Sequence, residues 1–305
     1  MVGRAPRRTT RQLTLCDIRF DHFAVIDWSG QAVERPAGLA LAHATGGDAA
    51  PTLLRPERGW TRPALAQWLA EHGRAGTRML VGMDLSPAFP FLDAGGYFPS
   101  WDQSPADAPA LWQFIDALSA NDPHLSANSF LLHPEARRHF RQLRDCGDLF
   151  PTGRGRFRVC EHGQAAMRLS PYSCFNLVGA AQVGKSSLTG MRVLHRLRGL
   201  VPIWPFDPLP DHGPVIVEIY TALAARAAGL RKGLSKIRDS ASLDEALAAF
   251  GTRPHAPLAR YDDHSTDAIL TTAWLRRAVA DAALWHPEHL TPKIAQTEGW
   301  TFGVY

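Results

Sequence analysis

Cysteine is scarce in this chain. Cys16, Cys146, Cys160 and Cys174 lie far apart in sequence and form no CxxC pair, which argues against a disulfide framework or a cysteine zinc site and points to a reducing, cytoplasmic setting. Long apolar runs are missing as well: no stretch approaches the roughly 18 residues of a membrane span, so no membrane partner is expected. The histidines include no HxxxH or HExxH spacing, which removes the usual zinc-peptidase pattern. No internal repeat and no low-complexity tract is found. The basic beginning of the chain (Arg4, Arg7, Arg8, Arg11) is not followed by an apolar run, so it does not read as a secretory signal. Residues 1–20 are expected to be a disordered basic tail.

What is present suits one large packed unit. The 305 residues are 45% hydrophobic and 20% charged, close to the average globular domain. Nine Trp and 23 Pro fit a dense core with stiffened connections. A formal net charge of +4 permits a polyanionic partner without requiring one. Residues 21–305 are read as a single domain with a long elaboration at about 87–168, where Pro, Gly and aromatic residues replace regular periodicity.

The regular segments alternate in type. Phe23-Ala-Val-Ile-Asp27 is an apolar strand ending in a carboxylate. Second and third strands are expected at 38–44 and 52–54, separated by the Gly46-Gly47-Asp48 turn. A helix follows Thr61 and ends at Gly73, and Met79 to Asp84 is a fourth strand, again closing on an acid. Helices are expected over 110–119 and 134–145, a short strand over 173–178, and a helix over 187–198. Val215-Ile-Val-Glu218 is a strong strand. Helices over 241–250 and 266–283 complete the pattern, which is that of an α/β fold.

The placement of acids carries the chemistry. Asp27, Asp84 and Glu218 each lie at the carboxyl end of an apolar strand, where sites collect in open α/β sheets. Asp267 shares a helical face with Leu270 and Trp274, on the inward side, and it falls in the first turn of the helix as the sequence delimits it. A buried charge of this kind needs a partner, a proton or an ion. Each acid has a plain structural alternative: a turn for Asp27, a cap for Asp84, an arginine partner for Glu218 and the helix dipole for Asp267. Together they suit Mg²⁺ or Mn²⁺, hard ions that take oxygen ligands and support phosphodiester hydrolysis.

Several segments resemble a known family. Phe23-Ala-Val-Ile-Asp-Trp-Ser-Gly30, Val81-Gly-Met-Asp-Leu-Ser86, Ile203-Trp-Pro-Phe-Asp207, Val217-Glu-Ile-Tyr220, Asp267-Ala268 and the closing Glu298-Gly-Trp-Thr-Phe-Gly303 are similar to motifs of a bacterial domain-of-unknown-function family described as predicted nucleases of the RNase H fold. The resemblance implies an RNase H-like mixed sheet, strand order 3-2-1-4-5, flanked by helices. It also implies that Asp27, Asp84 and Asp267 are metal ligands, and it places Arg158 and Glu161 where that family tends to have an Arg and a Glu.

Other patterns compete for attention. Gly179-Ala-Ala-Gln-Val-Gly-Lys185-Ser186 satisfies the phosphate-loop pattern GxxxxGK[ST], but the preceding segment is a weak strand and no apolar strand ending in Asp follows. A tight turn that brings Lys185 near a substrate phosphate is the alternative reading. The run from 137 to 168 holds eight arginines, which suit either a solvated surface or contacts to a nucleic-acid backbone. A second basic loop contains Arg231, Lys232 and Lys236. Asp263 and His264 are candidates for a helix cap or for support of the metal site. The leading expectation is a metal-dependent nuclease using Asp27, Asp84, Glu218 and Asp267, with Arg158, Glu161 and Lys185 toward substrate. The alternatives are a P-loop nucleotide-binding protein and a non-catalytic RNase H-like scaffold for nucleic acid.

Overall fold

A computed structural model describes residues 20–142, 145–151, 153–179, 182–230 and 236–305. The expected basic tail, apart from residue 20, and Arg144, Arg231 and Lys232 lie outside the described residues. Among the described residues six strands form the main sheet: β1 (His22–Asp27), β2 (Ala40–Thr45), β3 (Thr52–Leu53), β4 (Met79–Asp84), β7 (Ile203–Trp204) and β8 (Val215–Glu218). The small hairpin of β5 (Arg141–Gln142) and β6 (Asp145–Cys146) stands apart from it. The order is β3-β2-β1-β4-β8-β7. β2 runs antiparallel to both β1 and β3, whereas β1, β4, β8 and β7 are mutually parallel.

This order corrects the expected 3-2-1-4-5. The neighbour of β4 is the last strand of the chain, and the strand before it lies outside, on the edge. Pro202 and Pro205 explain the exchange. They flank β7 and can donate no ladder hydrogen bond, which restricts the segment to two residues at an edge. Val215–Glu218, buried throughout, takes the interior position instead.

The helices are α1 (Arg62–Ala75), α2 (Ala108–Leu118), α3 (Asn128–Leu132), α4 (Pro134–Arg137), α5 (Val159–Ala166), α6 (Val183–Leu197), α7 (Thr221–Ala227), α8 (Ser240–Ala248), α9 (Asp263–Ala278), α10 (Ala282–Trp285) and α11 (Pro292–Thr297). Strand alternation sorts them into two layers. Ala24, Ile26, Val81, Met83 and Ile216 join the core beneath α1, α2 and α6. Phe23, Val25, Leu80, Val215 and Val217 join the core beneath α7, α8 and α9.

Several local expectations change. Helix α1 runs past Gly73 to Ala75 and closes on Gly76 in the left-handed region. Residues 173–178 form no strand of the main sheet: Ser173 Oγ accepts from Phe175 N and Asn176 Oδ1 from Val178 N, while the Phe175 carbonyl and Leu177 N pair with Arg141 of the small hairpin. The helix expected to reach residue 145 stops at Arg137. The Arg138 carbonyl accepts from Leu149 N, and the chain returns so closely at Gly147 that a Cβ there would stand 2.1 Å from that carbonyl oxygen. Finally, α9 ends at Ala278, and Asp281 caps a separate short α10 by accepting from Ala283 N.

Candidate functional site

Asp27 and Asp84 are direct partners in the β1–β4 ladder. Parallel pairing with matched alternation sends both side chains toward the α9 layer, continuing the series Phe23, Val25, Asp27 and Leu80, Gly82, Asp84. Glu218 pairs with Met83 instead, so it projects to the opposite face. A one-residue difference in register thus separates it from the two aspartates.

Asp267 approaches from α9. The helix begins earlier than its apolar pattern suggests, with Asp262 as N-cap accepting from Ser265 N. Asp267 therefore belongs to the second turn, where the helix dipole offers little support. Burial pushes its carboxyl up to about 7, with the charges of Asp27 and Asp263 acting in the same direction. Burial also carries Asp84 well above the usual carboxylate range, and Asp27, Asp267 and Glu218 add to the effect. Asp27 is raised by burial and partly restored by His264, whose ring Nδ1 lies 3.2 Å from Asp27 Oδ2. Asp27 thus disfavours the charge of both Asp84 and Asp267, and Asp267 that of Asp84.

Glu218 is committed elsewhere. Arg158, fully buried, donates to both of its carboxylate oxygens at 2.6 and 2.8 Å, and the Thr301 hydroxyl donates at 2.7 Å. The same guanidinium donates to Glu161 Oε1 at 3.1 Å, Ser86 Oγ at 3.1 Å and the Glu298 carbonyl at 3.0 Å. Glu161 closes a capping box at the start of α5 by accepting from Arg158 N. Arg158 and Glu161 accordingly form a buried ionic brace, and a cation bound at Glu218 would compete with a guanidinium already in place.

A cavity of about 840 Å³ opens beyond the carboxyl ends of β1, β4 and β8. Asp84, Glu218, Arg158, Glu161, Lys185 and His264 all line it. Asp27 and Asp267 are not part of its wall, although His264, the partner of Asp27, is. Asp263 is neither cap nor cavity residue; it pairs with Lys236 and Arg238. Among the described residues no group of three or more His, Cys, Asp and Glu side chains is disposed to enclose a metal ion.

The phosphate-loop pattern is taken up by packing. Ala180 and Ala181 lie outside the described residues. Gly184 starts α6 so close to the chain before it that a Cβ would meet the Cys174 carbonyl at 2.0 Å. A Cβ on Gly30 would meet the Lys185 and Ser186 backbone at 2.3–2.4 Å, so the turn after β1 lies directly against the first turn of α6. Trp28 Nε1 donates to Thr189 Oγ1 at 3.0 Å across the same contact. Among the described residues no strand of the main sheet leads into this helix, and Gly184 serves the close approach of two backbones, whereas Gly179, with a φ of 95°, has open space around it.

Residues missed by sequence reasoning hold this arrangement together. Arg62, buried, donates to the Ser29 and Gln31 carbonyls and fixes the turn after β1. Glu298 accepts from Phe91 N, Leu92 N and Val159 N, at 2.7–2.8 Å. Only the motif around Glu298 carried a sequence signal. Comparison with protein-family models, with curated proteins and with solved structures returned no match.

Proposed function

We propose that the chain is an RNase H-like, metal-dependent phosphodiester hydrolase acting on nucleic acid in a reducing cytoplasm. The observation that carries this reading is the trio Asp27, Asp84 and Asp267, three carboxylates whose protonation each is driven upward by burial and by its neighbours. Such a site is short of positive charge. Its all-oxygen donors match Mg²⁺ or Mn²⁺ in type, although the side chains are not gathered around a common point, and Asp27 is turned to His264. A bound ion of this kind supplies an activated water and charge neutralisation at the phosphate.

The protein's own contributions follow from position. Asp84 and Asp267 would hold the ion, with Asp27 joining them on release from His264. His264, at the cavity wall, orients Asp27 and can hold a proton on its ring. Lys185 offers an ammonium to a non-bridging phosphate oxygen. Glu218, Arg158 and Glu161 keep the wall rigid. The mutually parallel strands and the four-strand order β3-β2-β1-β4 are compatible with the RNase H-like reading. The open ligand arrangement favours, as a second reading, a scaffold that binds nucleic acid without cutting it.

Asp27→Asn keeps the side-chain shape and removes its charge. Wild-type protein should melt at a higher temperature with Mn²⁺, because an ion bound only to the folded state stabilises it, and the variant should gain less. Hydrolysis of nucleic acid should require the ion and fall by about two orders of magnitude or more in the variant. Equal shifts in both proteins would refute the metal site; a metal-dependent shift without cleavage would leave the scaffold reading.

A further inference from the structure

Two features of the cavity bear on which form of nucleic acid it accepts. The first is aromatic. Tyr172 lines the cavity with 47% of its surface exposed. The backbone on either side of it is pinned: Arg154 donates to the Pro171 carbonyl at 2.6 Å, and the Tyr220 hydroxyl donates to the Ser170 carbonyl at 3.2 Å. Tyr220 follows β8, lines the same cavity, and is pushed up to about 12 by burial and by the Asp84 charge. An exposed ring is therefore held on a fixed backbone beside the carboxylates.

The second feature is the distribution of cations. Of the eight arginines between 137 and 168, five already have partners within the chain, although Arg137 and Arg154 stay exposed. Arg137 pairs with Asp145, Arg138 with Glu135 and Asp148, Arg156 with Asp93, and Arg158 with Glu161 and Glu218, while Arg154 holds the Pro171 carbonyl. These are not a track for a phosphate backbone. Within the cavity, Lys185 is a cation with no ion pair among the described residues. The cavity volume also lies in the range of about 300–1,000 Å³ usual for small ligands, and residues 28–33, Asn128, Leu131 and the start of α6 wall it on more than one side. A base stacked inside a duplex cannot present its face to a side chain in such a recess.

We propose that this cavity accepts an unpaired nucleotide of a single-stranded nucleic acid, its base stacked on Tyr172 and its phosphate at Lys185. The inference rests on the reading of the cavity as a phosphodiester site. Stacking on an aromatic face tolerates any base, so selectivity is for strandedness rather than sequence.

The test is fluorescence anisotropy with an end-labelled single strand of about twelve nucleotides and the matching duplex, using the whole protein in EDTA so that binding is read without cleavage. The single strand should bind at least about tenfold more tightly than the duplex. Tyr172→Ala should weaken single-strand binding about tenfold, Tyr172→Phe should restore it to within about twofold, and duplex binding should not change. Affinity should fall with salt at a logarithmic slope of about −0.7 to −1.4, the value for one or two phosphates. Equal or tighter duplex binding, an unaltered Tyr172→Ala variant, a slope steeper than about −4, or no binding of either probe would each overturn the inference. A separate assay with Mg²⁺ distinguishes the two proposals. Tyr172-dependent single-strand binding without cleavage supports this one and removes the hydrolytic reading, whereas cleavage that prefers duplex does the reverse.

Discussion

Asp267 shows how a single side chain reports on the site. Its carboxyl titrates at about 7 in the folded chain, against an ordinary value of 3.8 in the unfolded one. The folded state therefore holds a proton that the unfolded state has already released. Stability contributed by this group is present below about pH 4 and is lost as pH rises toward 7. Asp267→Asn should abolish that part of the decline and stabilise the metal-free protein by on the order of 2 kcal/mol at pH 8. Urea unfolding between pH 5 and 8, on both proteins, measures it. Saturating Mg²⁺ should flatten the wild-type curve in the same way, since the ion takes the proton's place. A wild-type curve that does not fall with pH would mean that Asp267 is no more burdened than a surface acid.

At the scale of an element, α6 separates the two readings of GxxxxGK[ST]. If the glycines exist for packing, Gly184→Ala should be the damaging change and Lys185→Ala the silent one. The added Cβ would press on the Cys174 carbonyl and on Leu177, at a cost of about 1–3 kcal/mol for an overpacked contact. Lys185→Ala should leave the melting temperature unchanged within error, and it should not remove any specific ATP binding, because none is expected. Thermal melts and an ATP titration read both outcomes. Tight Mg-dependent ATP binding lost in Lys185→Ala would restore the nucleotide-loop reading.

Over the whole molecule, the buried ionic brace joins segments that are far apart in sequence. Arg158 links α5 to β8 through Glu218, to Ser86 after β4 and to the Glu298 carbonyl near the chain end. Thr301 then forms a parallel bridge to Glu218, and Phe302 N donates to the Glu218 carbonyl. Removing one member of such a network strands the others' charges. Arg158→Ala should cost about 3–5 kcal/mol, and Glu218→Gln made in that background should cost much less than it does alone. Denaturant unfolding of the two single variants and the double variant gives the coupling, and simple additivity would argue against a shared network.

Strands β1, β4 and β8 were legible from the chain alone because each is a continuous apolar run with a carboxylate at its end. That same pattern exposed Asp27, Asp84 and Glu218 as candidates, since a charge at the end of a buried strand is visible without coordinates, and helical periodicity added Asp267 through the apolar face it shares. Strand order was not legible past β4, because the displacement of β7 to the edge follows from competition between two segments for one interior position. Nor was the side of the sheet on which Glu218 emerges: alternation fixes faces within a strand, but the register between strands decides which residues share a face. The partners of Glu218, and the contact that turns GxxxxGK[ST] into a packing motif, join residues tens to hundreds of positions apart. Local patterning thus determined the buried strands β1, β4 and β8 and the acids at their ends, and only long-range packing decided which of those acids face one another.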